Sequence, residues 1–126
     1  PGNFELNRGP DGIAPMLQFF DAIKVRSDGR IDLERWLTRL TDADFDRISP
    51  ITQAPKLVDK PVLLIGGSRD VVTPIDDCHR PIAAAIKAAG AKRFTEVILE
   101  TDHGFLTKRI ALARLVISWL KTECQY

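Results

Sequence analysis

Asp70 and His103 are the residues of this chain whose types and positions best suit proton-transfer chemistry. Asp70 follows the apolar run Val62–Ile65 and a Gly66-Gly67 turn, and His103 follows a second apolar run, Val97–Leu99. An imidazole titrates close to neutral pH, so a histidine can accept and return a proton there. A carboxylate beside the ring orients it and stabilises its protonated form. The two segments therefore predict a carboxylate–imidazole site.

The polar residues in these segments also have structural interpretations. Asp70 could cap the next helix or hydrogen-bond the glycine turn, and His103 could cap a helix or lie in a loop. We expect Asp102 to form a turn or lie at the surface and to point away from His103. His79 stands among aspartates and an arginine, residue types that are mostly exposed, so we expect it on a solvated helix surface.

A nucleophile for this site is missing from the recognisable motifs. The nucleophile elbow requires Gly-x-Ser-x-Gly, because a strained strand-to-helix turn tolerates only small neighbours. The segment Gly66–Asp70 comes nearest, and it carries aspartate at the last position. Ser49 and Ser118 lack such a turn, and Cys78 follows no predicted strand. We therefore expect the acid and the base here without their nucleophile.

Metal and phosphate chemistry are not indicated. The two histidines and two cysteines lie far apart along the chain, without the spacing of a zinc site. Gly66-Gly67 lacks the further glycines and the lysine of a phosphate-binding loop. We expect no metal ion and no cofactor.

The elements that position the two site residues alternate between strand and helix. The continuous apolar run Val62–Ile65 predicts a parallel strand buried on both faces, and the alternative that periodicity alone leaves open is a helix segment. A helix follows, beginning either at Pro74 with a kink or at Pro81, and Gly90 is its expected stop. Thr95–Leu99 predicts the second strand.

The last predicted helix runs from about Leu106 to Lys121 and is the most apolar one. We expect its broad apolar stripe to pack against the sheet. The stripe comprises Ile110, Ala113, Val116, Ile117 and Leu120, widened by Leu112, Leu115 and Trp119.

The first part of the chain predicts a loop over residues 1–12 and then three helices. The first two helices carry apolar residues at helical spacing. Thr41 to Asp44 resembles a capping box that starts the third helix, which presents Phe45 and Ile48 and ends at Ser49-Pro50.

The bulk composition predicts one small soluble domain. The chain has 126 residues and a formal net charge of +1, so no field favours nucleic acid. It contains no run of about 18 apolar residues, so we expect no membrane span. We expect Cys78 and Cys124 to be independent thiols, which favours a reducing, cytoplasmic location. The chain opens with Pro-Gly-Asn rather than Met, which suggests a processed or excised piece.

The fold class is α/β, with two predicted parallel strands and flanking helices in residues 56–126 and a helical segment in residues 1–55. Two strands make a poor sheet, since typical sheets have about 4–6 strands and a two-stranded one leaves long edges exposed. We therefore expect the chain to belong to something larger or to pair with a second copy.

Five short segments together resemble the C-terminal part of an α/β-hydrolase, closest to the prolyl-oligopeptidase and dienelactone-hydrolase branch. They span about residues 49–122 and are similar to that family in order and separation. The segments are Ser49-Pro50, Lys60–Pro74, Ala88–Ala91, Val97–Leu99 and Asp102-His-Gly-Phe105.

The resemblance implies that Asp70 is the acid and His103 the general base of a Ser-Asp-His triad. It also implies that the serine lies before residue 1, since the family's chain order is serine, acid, histidine. Residues 1–55 would then correspond to a cap-like insertion. One departure is Gly66, where relatives often have histidine.

We expect the chain to be the acid-and-base part of a serine hydrolase, with a small-molecule ester or a peptide as substrate. The partner would be the missing N-terminal half. The alternative is a non-catalytic, truncated or pseudo-hydrolase module that dimerises or binds a partner.

Overall fold

A computed structural model describes Arg39 and residues 41–124. The chain divides into two compact units, with the boundary between Ser49 and Pro50. The expected helices before residue 39 lie outside the described residues. The assignment of residues 1–55 as a cap-like insertion stays a prediction.

Helix α1, Asp42–Ile48, is the described element of the first unit. It begins with the predicted capping box: the Thr41 side chain accepts a hydrogen bond from the Asp44 amide, and the Asp44 side chain accepts one from the Thr41 amide. Phe45 is buried, whereas Ile48 is exposed. Ser49 is the C-cap of this helix, as predicted.

The second unit is a mixed α/β arrangement, as predicted. It opens with the short helix α2, Pro50–Gln53, which continues into a 3₁₀ turn, Ala54–Leu57. Strand β1 is Pro61–Gly67 and strand β2 is Arg93–Leu99. Helix α3, Arg80–Ala88, joins them, and helix α4, Arg109–Glu123, follows β2.

The segment before α3 combines features of both predicted starts. A π-helical turn, Ile75–His79, runs directly into α3. Pro81 falls within the first two positions of α3, where its missing amide hydrogen costs little. Gly90 adopts a φ of +82° just after the helix, in agreement with its predicted role as the stop.

The two strands pair in parallel and in register, from Pro61 opposite Arg93 to Gly67 opposite Leu99. A cluster of buried apolar side chains, Ala54, Ile82 and Ile86, packs against half-buried apolar residues of both strands and of α2. The core therefore lies between α3, the α2 segment and one face of the sheet.

Two burial predictions were wrong. The side chains of Pro61–Ile65 are half-buried rather than buried on both faces. No side chain of α4 is buried, and Ile110 is 72% exposed. A two-stranded sheet has too little surface to cover both a core helix and a 15-residue helix. The more covered face of α4 consists of the half-buried Leu112, Leu115, Val116, Trp119 and Leu120.

Contacts at its C-terminal end tie α4 to the start of β2. Arg93 Nε donates to Glu123 Oε2 at 3.0 Å, and the Arg93 guanidinium also donates to the Glu123 carbonyl. This anchoring holds the end of the helix that follows the His103 turn.

Candidate functional site

The parallel register brings the residues after β1 and β2 to the same end of the sheet. Hydrogen bonding continues past the last strand residues, with the Ser68 amide donating to Leu99 O at 2.8 Å. The Arg69 amide donates to the carbonyl of the fully buried Thr101 at 3.0 Å. Asp70 and His103 follow these links immediately, so their proximity is a consequence of the strand pairing.

Gly67 permits this close approach of the two chain segments. A Cβ atom at Gly67 would lie 2.7 Å from the Thr101 carbonyl oxygen and 3.0 Å from that of Asp102. Both atoms belong to the backbone and cannot move aside as a flexible side chain could. Glycine at this position thus permits the two segments to approach this closely without a shift of the backbone.

The Asp70 carboxylate accepts four hydrogen bonds. Its Oδ1 accepts from the amides of Val72 at 2.8 Å and Thr73 at 2.9 Å. Its Oδ2 accepts from the Thr73 hydroxyl at 2.6 Å and contacts His103 Nδ1 at 2.9 Å. The carboxylate therefore both closes the turn that follows it and contacts the histidine, whereas it caps no helix and bonds neither residue of the Gly66-Gly67 turn.

These hydrogen bonds keep Asp70 ionised. Burial raises the pKa of Asp70, but the bonds from Thr73, His103 and Val72 outweigh burial and hold the pKa at about 2, below its ordinary 3.8. A carboxylate that accepts several donors is stabilised in its charged form. Asp70 is thus an acceptor for the ring nitrogen of His103 across the neutral pH range.

The two partners differ in exposure. The side chain of Asp70 is 6% exposed, whereas that of His103 is 55% exposed. The ionised Asp70 carboxylate can only accept a hydrogen bond, so Nδ1 of His103 carries the proton. Nε2 of the neutral ring then keeps its lone pair. Nε2 has no hydrogen-bond partner in the described part of the chain. This arrangement suits a general base that works on a group brought from outside.

Thr73 is a site residue that sequence reasoning missed. Its hydroxyl lies 2.6 Å from Asp70 Oδ2 and 3.4 Å from His103 Nδ1. A polar residue three positions after Asp70, just before Pro74, was the available signal, since Asp, Ser and Thr often bond within such turns.

The turn after His103 is fixed by its own backbone. Asp102 Oδ1 accepts a hydrogen bond from the Leu106 amide at 3.1 Å, so Asp102 forms a turn, as predicted. Phe105 has a φ of +52°, a left-handed conformation that is uncommon for a bulky residue. Such strained positions concentrate at functional sites.

A cavity of about 230 Å³ lies beside the Asp70–His103 contact. Ile65, Ile75, Ile82 and Phe105 contribute apolar wall. Asp70, Thr73, His79 and His103 contribute its polar groups. A mostly apolar concavity with a few converging polar groups is the usual form of a small-molecule site.

The prediction for His79 was wrong. Its side chain is 5% exposed and lines the cavity, and its Nε2 lies 3.1 Å from Glu96 Oε1. Glu96 Oε2 accepts from Lys87 Nζ at 2.5 Å. On the π-helical turn, Cys78 and His79 are buried whereas the two aspartates before them are exposed. Local composition carried no signal of this burial.

The two cysteines are not joined in a disulfide. Cys78 is buried on the π-helical turn, and Cys124 is partly buried at the end of α4. Residues 41–124 contain no cluster of three or more His, Cys, Asp or Glu side chains arranged to hold a metal ion. Within the described residues, no helix is both long and apolar enough to span a bilayer.

No protein-family model matches the chain, and neither the curated proteins nor the solved structures include a match to it.

Proposed function

We propose that this chain is the acid-and-base part of a serine hydrolase, acting on a carboxylic ester or a peptide. Asp70 is the acid, His103 is the general base, and the serine belongs to residues outside this chain. The observation that carries the proposal is the 2.9 Å contact between Asp70 Oδ2 and His103 Nδ1 at the ends of two adjacent parallel strands. The open end of a parallel sheet is where α/β proteins place their sites.

Each residue has a defined step. Nε2 of His103 removes the proton of the serine hydroxyl as its oxygen attacks the substrate carbonyl. Asp70 stabilises the resulting imidazolium, which then protonates the leaving alcohol or amine. Water attacks the acyl-enzyme with His103 again as the base, and the serine regains its proton.

Labelling with a fluorophosphonate probe tests whether the nucleophilic serine lies outside this chain. The 126-residue chain alone is expected to remain unlabelled, whereas the longer protein is expected to label at a serine in a Gly-x-Ser-x-Gly segment preceding residue 1. Stable labelling of a serine within this chain would contradict the proposal. A complete reading frame without any serine in such a segment would also contradict it.

Substitutions in the longer protein test the two named residues. His103→Ala is expected to reduce hydrolysis of a p-nitrophenyl ester by a factor on the order of 10⁶, and Asp70→Asn by about 10⁴. Asp76→Asn is a matched control, because Asp76 is an exposed carboxylate that pairs with Arg80. Full activity in His103→Ala would remove His103 from the mechanism.

A second candidate function is a non-catalytic module that pairs with another copy of the chain. Leu106, Ile110 and Ile117 are exposed apolar residues along α4 and the turn before it. Contiguous exposed apolar surface marks interaction sites in many soluble proteins. Light scattering distinguishes the two candidates: a concentration-independent monomer argues against the second.

A further inference from the structure

His79 is a buried titratable residue that the proposed mechanism does not use. It lines the same cavity as His103, on the π-helical turn Ile75–His79. Its side chain is 5% exposed. A buried polar group normally has its hydrogen-bonding capacity satisfied, so a hydrogen-bond partner is expected for each nitrogen of this ring.

One nitrogen is satisfied by a carboxylate held in place by a lysine. Nε2 lies 3.1 Å from Glu96 Oε1, and Lys87 Nζ lies 2.5 Å from Glu96 Oε2. The hydrogen bond from Lys87 lowers the pKa of Glu96, an effect that burial opposes and His79 reinforces. Glu96 is therefore ionised and can only accept. Nε2 of His79 must donate, which places the proton of the neutral ring on Nε2.

The other nitrogen is consequently a free acceptor. Nδ1 of the neutral ring keeps its lone pair and has no hydrogen-bond partner among the described residues. This edge of the ring packs closely on Gly66, where a Cβ would lie 2.6 Å from Nδ1. Both Gly66 and His79 line the cavity. The glycine thus lets the ring take its position in the cavity wall.

We infer that His79 Nδ1 is a ligand-binding group that accepts a hydrogen bond from a hydroxyl, amine or amide N–H on an otherwise apolar ligand in this cavity. This inference rests on the proposed function in one respect: if the chain is part of a hydrolase, the ligand is the part of the substrate that lies beside His103. Ile75, Ile82 and Phe105 supply the apolar walls.

The cavity volume sets the size of that group. An apolar cavity of about 150 Å³ is large enough to hold benzene. At about 230 Å³, this cavity has room for one ring or a short branched chain with one polar substituent. A ligand without a donor would cover Nδ1 and leave this acceptor unpaired, so His79 confers selectivity for the substituted molecule.

Benzyl alcohol and toluene are suitable probes, because they share a ring and differ in the hydroxyl. The chain contains only two histidines, so ¹⁵N spectra of histidine-labelled protein resolve each imidazole, and His103→Ala assigns them. At alkaline pH, the free protein is expected to show His79 protonated at Nε2. Benzyl alcohol is expected to move the His79 Nδ1 resonance upfield, and toluene to leave it in place.

Affinity provides the second measurement. His79→Phe replaces the imidazole with an apolar ring that has no nitrogens. It is expected to weaken the binding of benzyl alcohol about fivefold, as for one lost hydrogen bond, while toluene binds equally or more tightly. A His79 ring protonated at Nδ1 in the wild-type protein would overturn the inference without any variant. An Nδ1 resonance that benzyl alcohol does not move, up to its solubility, would also overturn it. The hydrolase proposal is decided separately, by fluorophosphonate labelling of the longer protein.

Discussion

Oδ2 of Asp70 lies 2.9 Å from Nδ1 of His103, although 32 residues separate the two in sequence. The acid is nearly buried and the imidazole is half-exposed. The same oxygen also accepts a hydrogen bond from the Thr73 hydroxyl at 2.6 Å. The carboxylate is therefore held in place by bonds other than the one to the ring. It can hold the ring in one orientation while Nε2 of the ring remains accessible.

The stability of the chain should depend on pH through Asp70. The folded pKa is held at about 2 against an ordinary 3.8, so the unfolded state takes up the proton first. The stabilisation is therefore complete above the ordinary pKa and is lost as the pH falls toward 2. We expect a loss of roughly 1 kcal/mol in the free energy of unfolding, less than the full linkage value because His103 is half-exposed.

Urea unfolding across this acid range measures the effect. Asp70→Asn cannot ionise, so its profile should lack this component. Coincident wild-type and variant profiles, after correction for a constant offset, would show that Asp70 does not titrate differently in the folded protein.

Thr73 should control the charge state of Asp70. Thr73→Val removes the hydroxyl and keeps the side-chain shape and the backbone amide that donates to Oδ1. The pKa of Asp70 should rise toward its ordinary value, because one of the bonds that stabilise the carboxylate is gone. The free energy of unfolding should fall by about 1 kcal/mol at neutral pH.

The ¹³C chemical shift of the Asp70 carboxyl, followed through an acid titration, reports this pKa. Thr73→Ser is the matched control, since it keeps the hydroxyl and should retain the low value. Equal titration curves for the valine and serine variants would mean that the Thr73 hydroxyl does not lower the pKa of Asp70.

Gly67 and Gly104 should differ in their tolerance of a methyl group. A Cβ at Gly67 would meet the Thr101 carbonyl oxygen at 2.7 Å, whereas one at Gly104 would come no nearer than 3.4 Å to the Leu106 side chain. Gly67→Ala should therefore destabilise the fold by about 1–3 kcal/mol, as overpacking does. Gly104→Ala should change stability by less than about 0.5 kcal/mol.

Thermal and denaturant unfolding of the two alanine variants test this difference. Gly67→Ala should also weaken the contact between Asp70 and His103, because Thr101 and Asp102 must shift away from β1. Equal stability of the two variants would contradict the close approach of the two segments at Gly67.

Two isoleucines of different burial test where the core lies. Ile86 on α3 is 2% exposed and Ile110 on α4 is 72% exposed. Ile86→Ala should cost about 2–4 kcal/mol through lost burial and the cavity left behind. Ile110→Ala should stay within about 0.5 kcal/mol, because the deleted atoms already face solvent. A comparable cost for both, measured by denaturant unfolding, would place α4 in the core.

The sequence by itself determined much of the local structure. The apolar runs predicted both strands, the capping box predicted the start of α1, and Gly90 predicted the stop of α3. These features depend on the chemistry of adjacent residues and on periodicity, which a single sequence records directly. The positions of Asp70 and His103 just past the two strands followed from the same patterns.

Only the tertiary structure decided the contacts and the burial. The contact between Asp70 and His103, the burial of His79 and its contact with Glu96 depend on strand register and on the packing of the π-helical turn. The exposure of α4 depends on how much sheet is present to cover it. Such features arise from distances between segments remote in sequence, and composition and local spacing do not encode those distances.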